Sequence, residues 1–208
     1  MARTTLPPQP GRRRRIRSSL SFVRIALVLV PLLAHAAALD GVDVPNTVQM
    51  NGKTLLLNGY GLRTYSFLSI HIYVAALYLE HLSSDPEAIL RSPETKLLSV
   101  TFKHDVSVDA ARNAWRTGLA NNCEPPCHLD PDEVEKFLAV VPGMQSGDSF
   151  SLVFTPQGAT VTVNGQLVGT VSHPQLAEAM LATFLGPKPA SPELKQELLA
   201  GQPGGTKP

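Results

Sequence analysis

Residues 57–63 read LNGYGLR, and residues 70–80 read IHIYVAALYLE. The second segment is a predicted strand with bulky side chains on both parities, which is typical of a strand that is buried on both faces. Its odd-numbered face mixes polar and apolar side chains, among them His71, Tyr73 and Leu77, and we expect this face to line a cleft. Arg63 lies just before this strand, among glycine, asparagine and aromatic residues rather than in a run of charges. This setting predicts a cation that contacts a ligand.

Two roles are open to Arg63. Its guanidinium presents a fork of donors that binds a carboxylate through two hydrogen bonds or stabilises developing negative charge. The alternative is a structural arginine that binds loop carbonyls. The sequence contains no Gly-x-Ser-x-Gly, no Gly-Lys-Ser/Thr phosphate loop and no His-Glu-x-x-His, so no nucleophile or metal motif competes with Arg63 as the candidate site residue.

The first 38 residues have the order of a secretory signal peptide. Seven arginines precede an apolar run over residues 25–33, and Ala34-His35-Ala36 is a suitable cleavage site. The run is short for a membrane span, which takes about 20 residues, although a retained N-terminal anchor is the alternative. We therefore predict a signal peptide over residues 1–38, an exported, periplasmic protein, and no stable membrane span after cleavage.

The charge balance argues against nucleic acid as a partner. Removing the seven N-terminal arginines leaves 11 Lys and Arg against 17 Asp and Glu, so the remaining domain is mildly acidic. A nucleic-acid surface needs clustered positive charge. The expected partner is a small molecule.

The two cysteines, Cys123 and Cys127, enclose two prolines and are followed by His128. In an exported protein, such a close pair predicts a disulfide that closes a small loop. A c-type haem attachment is the sharper alternative, but its Cys-x-x-Cys-His spacing is one residue shorter. A zinc site lacks a second ligand pair. No metal site is predicted.

Turn signals predict an antiparallel sheet. Asn51-Gly52 and Asn164-Gly165 each lie between apolar runs, which is the strongest short signal for a hairpin. Asn58-Gly59 is predicted to form a further turn or a bulge. Residues 62–67 and 68–78 are expected to form one long strand or two short ones.

Helix signals complete the fold. Helices are predicted after the capping residues Ser107, Asp130 and Ser191, and another follows Pro174. Strands, helices, strands and a helix in this order predict one α+β domain over residues 39–200, with helices packed on one face of an antiparallel sheet. A disordered tail is predicted over residues 201–208.

These motifs resemble the chalcone isomerase superfamily. The resemblance rests on Asn58-Gly59-x-Gly-x-Arg63 and on the segment Tyr73 to Glu80, and it extends from about Val48 to Leu199. Further matching segments are residues 102–106, 114–119, 147–148, 164–169 and 184–186. The most similar branch is the exported bacterial one. The resemblance implies an open-faced β-sandwich and a chemistry without a cofactor.

What the resemblance implies about activity depends on two positions. In the plant enzymes an Arg at the position of Arg63 helps to close the ring of a chalcone to a flavanone, an intramolecular lyase reaction. In non-catalytic members it binds fatty-acid carboxylates. A cleft Thr of the plant enzymes falls on Tyr73 here, which departs from the catalytic pattern.

The sequence therefore predicts a binding protein and leaves the question of an enzyme open. We expect Arg63 to bind the anion of an amphipathic or aromatic small molecule, and Tyr73, His71 and Leu77 to contact its body. One alternative is a true isomerase that acts on chalcone-like enones, with Arg63 as the catalytic residue. The other is an envelope interaction module whose cleft is vestigial.

Overall fold

The computed structural model describes residues 37–65 and 69–200. These residues belong to one compact unit. The predicted signal peptide, except for its last two residues, and the predicted tail lie outside the described residues. The first described strand begins at Ala37.

The described chain forms nine strands and five helices. The strands are β1 (Ala37–Leu39), β2 (Val42–Val44), β3 (Thr47–Met50), β4 (Lys53–Tyr65), β5 (Ile70–Leu79), β6 (Lys96–Phe102), β7 (Ser149–Thr155), β8 (Gly158–Val163) and β9 (Gln166–Val171). The helices are α1 (Pro86–Arg91), α2 (Val108–Asn121), α3 (Pro131–Val140), α4 (Pro174–Leu185) and α5 (Pro192–Leu198).

Strands β3 to β9 form one antiparallel sheet in the order of the chain, and β1 pairs with β2 in a separate hairpin. The predicted α+β architecture, with helices on one face of a large antiparallel sheet, is confirmed. The strands expected over residues 62–67 and 68–78 have other bounds in the structure. Strand β4 extends from Lys53 to Tyr65, because Asn58-Gly59 forms a bulge inside it rather than a turn that ends it. Strand β5 begins at Ile70.

The predicted helix caps are present. The side chains of Ser107 and Ser191 accept hydrogen bonds from backbone N–H groups of α2 and α5. Asp85 and Asp130 do the same at α1 and α3, each ahead of a proline in the first turn. These bonds satisfy donors that have no partner within the helix. Within the part of the chain that the structure describes, no helix is long and apolar enough to cross a membrane.

The sheet separates two cores. The core between the sheet and the helices, which we call the helix-side core, contains Leu77, Leu98 and Leu152 together with side chains of α2, α3, α4 and α5. The core between the sheet and the β1–β2 hairpin, the hairpin-side core, contains Val44, Val74 and neighbouring side chains. Because β5 contributes to both, its side chains from Val74 to Leu79 are buried on both faces, as the sequence predicts.

Two irregularities change which side chains face each core. The pairing of β4 with β5 shifts between Leu57 and Gly59 and again between Arg63 and Thr64. One extra residue in a strand shifts the alternation of side chains, so each residue beyond it lies on the face opposite to the one that strict alternation predicts. The first shift makes Asn58 the extra residue of β4, and the second makes Ile72 the extra residue of β5.

Candidate ligand-binding site

A cavity of about 380 Å³ lies between the sheet and the helices. Its volume falls at the lower end of the range of roughly 300 to 1,000 Å³ that is usual for small-molecule sites. Its wall combines the ends of β4, β5 and β6 with one side of α2 and the end of α4. The lining residues are Arg63, Tyr65, Ile72, Tyr73, Val100, Phe102, Val106, Ala110, Ala111, Ala114, Trp115, Val141, Pro142, Met144, Phe150, Thr183, Phe184 and Ala190.

Arg63 is the only charged residue among the described residues that line this cavity. Its Nη1 donates a hydrogen bond to the hydroxyl oxygen of Tyr73 at 3.3 Å, and its guanidinium carbon lies 5.6 Å from the centre of the Tyr73 ring. Across residues 37–65 and 69–200, no carboxylate lies within 4.0 Å of the guanidinium. The cavity therefore has a positive charge without a negative one among these residues.

Tyr73 is only 8% exposed. Burial raises the pKa of its hydroxyl above the ordinary value of 10.0, and the positive charge and hydrogen bond of Arg63 oppose this shift. The hydroxyl therefore remains protonated at neutral pH. Since its oxygen already accepts from Arg63, its proton is available to a ligand. Arg63 and Tyr73 together present donors to the cavity.

Aromatic rings form much of the remaining wall. Trp115 of α2 lies 5.1 Å from Phe137, 6.1 Å from Phe150 and 6.0 Å from Phe184 between ring centres. Tyr73 lies edge to face with Phe102 at 5.6 Å. Such contacts add about 0.5–1.5 kcal/mol per pair beyond burial of area. The rings hold the wall in place around an apolar interior.

The structure brings together two of the four residues that the sequence proposes for ligand contact. Arg63 and Tyr73 both line the cavity, whereas His71 and Leu77 are not among the lining residues. Leu77 has no exposed surface in the helix-side core. The Nδ1 of His71 lies 3.1 Å from Oδ2 of Asp40, which belongs to the turn between β1 and β2.

The position of His71 follows from the bulge at Ile72. Strict alternation would place His71 and Tyr73 on one face, but the extra residue between them moves His71 to the hairpin side and allows Ile72 to line the cavity. The sequence did not predict the aromatic wall of the cavity, because Phe102, Trp115 and Phe184 come from three distant segments. A pattern within one segment does not reveal such a set.

The predicted disulfide is present. Cys123 and Cys127 are bonded, with their Cα atoms 5.1 Å apart. Asn122, next to this loop, donates from Nδ2 to the carbonyl oxygen of Lys188 at 2.8 Å and accepts from its backbone N–H at 3.2 Å. Glu124, within the loop, forms an ion pair with Lys188, so the disulfide loop contacts the segment after α4, which contributes Ala190 to the cavity wall.

Comparison with known proteins identifies the family. The family profile described as "Chalcone isomerase-like" matches residues 36–200. The chain belongs to the chalcone isomerase-like family. The resemblance seen in the sequence is thereby confirmed. Among curated proteins, no sequence match was found.

The fold is shared with a solved structure. The crystal structure of a fatty-acid binding protein from Arabidopsis thaliana superposes with a TM-score of 0.66 at 17% sequence identity. The match covers 79% of this chain and 96% of the plant protein. At this identity, the similarity establishes the chalcone isomerase-like fold.

Proposed function

We propose that this protein binds an amphipathic anion, of which a fatty acid is the representative, in the cavity beside Arg63, and that it does so without catalysis. The observation that carries the proposal is one unopposed cation, among the described residues, in an otherwise apolar and aromatic cavity. A carboxylate accepts from the donors of Arg63 and Tyr73, and the hydrocarbon body contacts the apolar wall. The fatty-acid binding activity named for the plant structure of the same fold supports this choice.

The absence of catalysis is proposed from the residue at position 73. The resemblance places a cleft Thr of the plant enzymes at Tyr73, whose ring fills space that an enone would need beside Arg63. The cavity itself counts against a vestigial cleft, because a volume of about 380 Å³ is sufficient for a small ligand.

The first test compares laurate with lauryl alcohol, which has the same chain but no charge. By calorimetry, wild-type protein should bind laurate more tightly than lauryl alcohol. Arg63→Leu should weaken laurate binding by about 10- to 100-fold, because a hydrogen bond to a charged group contributes about 1.5–3 kcal/mol. The same variant should leave the affinity for lauryl alcohol unchanged.

A matched control removes another arginine. Arg112 donates to the carbonyl oxygens of Val141 and Ala139 and does not line the cavity, so Arg112→Leu should keep the preference for laurate. Equal affinities of wild-type and Arg63→Leu protein for laurate would exclude the proposal. If the wild type cyclises chalcones faster than the spontaneous reaction and Arg63→Leu does not, the isomerase alternative would replace the binding proposal.

Export to the periplasm is part of the proposal. It is supported by the signal-peptide order of residues 1–38 and by the disulfide, which persists in oxidising compartments. Fractionation of the native host, with N-terminal sequencing of the recovered protein, should give a periplasmic chain that begins near Ala37 or Leu39. A cytoplasmic chain that retains its first residues would contradict export.

A further inference from the structure

The bulge at Asn58 lies between the two parts of β4 whose side chains alternate in opposite phase. Leu57 lies opposite Tyr78, and Gly59 lies opposite Leu77, so that Asn58 has no partner residue on β5. Side chains alternate between the faces of a strand, and one extra residue therefore exchanges the faces of everything that follows.

The exchange is visible in the packing of β4. Before the bulge, the odd-numbered residues Leu55 and Leu57 pack in the hairpin-side core. After it, the even-numbered residue Leu62 packs there, and the odd-numbered Arg63 lines the cavity. If the alternation of Leu55 and Leu57 continued without a bulge, Arg63 would face the hairpin.

Tyr73 faces the helix-side core without the help of the bulge at Asn58. From Tyr73 to Leu79, β5 pairs with β6 without a shift, and the odd-numbered residues of this stretch all belong to the helix-side core. The bulge therefore brings Arg63 to the face on which Tyr73 already lies. Arg63 and Tyr73 are direct partners in the β4–β5 pairing, which is how the guanidinium reaches both the ring and the hydroxyl.

The side chain of Asn58 is hydrogen-bonded to two distant segments at the bulge. It is completely buried. Its Nδ2 donates to the carbonyl oxygens of Ser83 and Leu198, each at 2.9 Å, and its Oδ1 accepts from the backbone N–H of Ser83 at 2.8 Å. Both amide hydrogens and one acceptor site are thus used to join β4 to the loop after β5 and to the end of α5.

The neighbouring glycine makes this contact with α5 possible. A Cβ atom at Gly59 would lie 2.3 Å from the backbone oxygen of Glu197, far inside van der Waals contact. The backbone of α5 can therefore approach β4 only next to a residue without a side chain, and Asn58 binds it there.

We propose that Asn58 is a positioning residue for ligand binding: its buried amide holds the bulge that turns Arg63 into the cavity beside Tyr73. The proposal rests on the proposed function, because it assumes that Arg63 binds the anion. It predicts that loss of the amide reduces the preference for charged over uncharged ligands in addition to any loss of stability.

The test measures the ratio of laurate to lauryl alcohol affinity in protein purified from expression of the full chain. Asn58→Ser should lower this ratio by about tenfold, the effect expected when Arg63 no longer reaches the carboxylate. Asn122→Ser is the matched control, since Asn122 also donates to two carbonyl oxygens and accepts from one backbone N–H, but between α2 and the segment after α4. It should lower stability and keep the ratio.

A second variant decides the matter if Asn58→Ser does not fold. Asn58→Asp keeps the size of the side chain and an oxygen that accepts from the Ser83 N–H, but it loses the amide donors to the carbonyl oxygens of Ser83 and Leu198, so it should also lower the ratio. A wild-type ratio in either Asn58 variant, or an equal loss in Asn122→Ser, would overturn the positioning role. A wild-type ratio in Arg63→Leu would instead reject the proposed function itself.

Discussion

At the scale of single residues, the contact between Arg63 and Tyr73 defines the polar end of the cavity. The guanidinium lies over the ring at 5.6 Å and donates to its hydroxyl at 3.3 Å. The first contact is a cation–π interaction, which strengthens when water is excluded, and the second leaves the tyrosine proton free. Two side chains from neighbouring strands thereby present their donors side by side at the cavity.

A second tyrosine, Tyr78, gives a prediction about pH. It is 3% exposed in the hairpin-side core, and burial raises the pKa of its hydroxyl from 10.0 to about 12. Below pH 10 the hydroxyl is protonated in both the folded and the unfolded protein, and its full contribution to stability is present. Between pH 10 and about 12 the unfolded chain loses the proton first, so the free energy of unfolding should fall as pH rises.

Urea unfolding between pH 8 and about 12 measures this loss. Tyr78→Phe removes the ionisable group and should make the fall with pH shallower. Val44→Ala is the control, because it removes part of a non-ionisable side chain from the same core and should leave the slope unchanged. Identical slopes for the wild type and Tyr78→Phe would contradict the assignment.

At the scale of elements, a disulfide and a set of hydrogen bonds hold the loop after α2 in place. The disulfide closes residues 123–127, and Asn122 binds the backbone N–H and the carbonyl oxygen of Lys188, which follows α4. Lys188 also forms an ion pair with Glu124. The described chain thus ties the end of α2 to the segment that carries Ala190 of the cavity wall.

Loss of the disulfide should have a modest effect. Closure of so short a loop lowers the entropy of the unfolded chain only slightly and stabilises the fold by about 2 kcal/mol. The double variant Cys123→Ser with Cys127→Ser should therefore lose about this much free energy of unfolding. Denaturant titration of the variant, and of the reduced wild type, should give the same value. A fully unfolded double variant would show that the loop is far more important than its length implies.

At the scale of the whole described domain, one sheet serves two cores. The helix-side core contains the cavity, and the hairpin-side core lies on the opposite face. Strand β5 contributes alternate side chains to each. The sheet therefore separates the part of the domain that we expect to bind ligand from the hairpin-side core, whose buried residues do not line the cavity.

A substitution in the hairpin tests this separation. Val44 of β2 is buried in the hairpin-side core, and Val44→Ala should lower the free energy of unfolding by about 2 kcal/mol. The affinity for laurate should remain that of the wild type, because the sheet lies between Val44 and the cavity. A loss of both would show that the two cores are coupled.

Much of the architecture is determined by local patterns in the sequence. Asn-Gly pairs, capping residues ahead of proline and alternating apolar residues are short-range signals, and each acts within a few residues. They are sufficient to predict the antiparallel sheet, the starts of α2 and α3, and the meander of β7 to β9. The lone Arg63 also stands out locally, because no other charge accompanies it.

Tertiary structure alone decided which residues face the cavity. The bulges at Asn58 and Ile72 exchange strand faces, and this is why Arg63 lines the cavity while His71 contacts Asp40 on the other side. A bulge depends on its partners, here Ser83 and Leu198, which lie 25 and 140 residues from Asn58. The sequence by itself therefore determined the elements and the charged residue, whereas long-range contacts determined the direction in which that residue points.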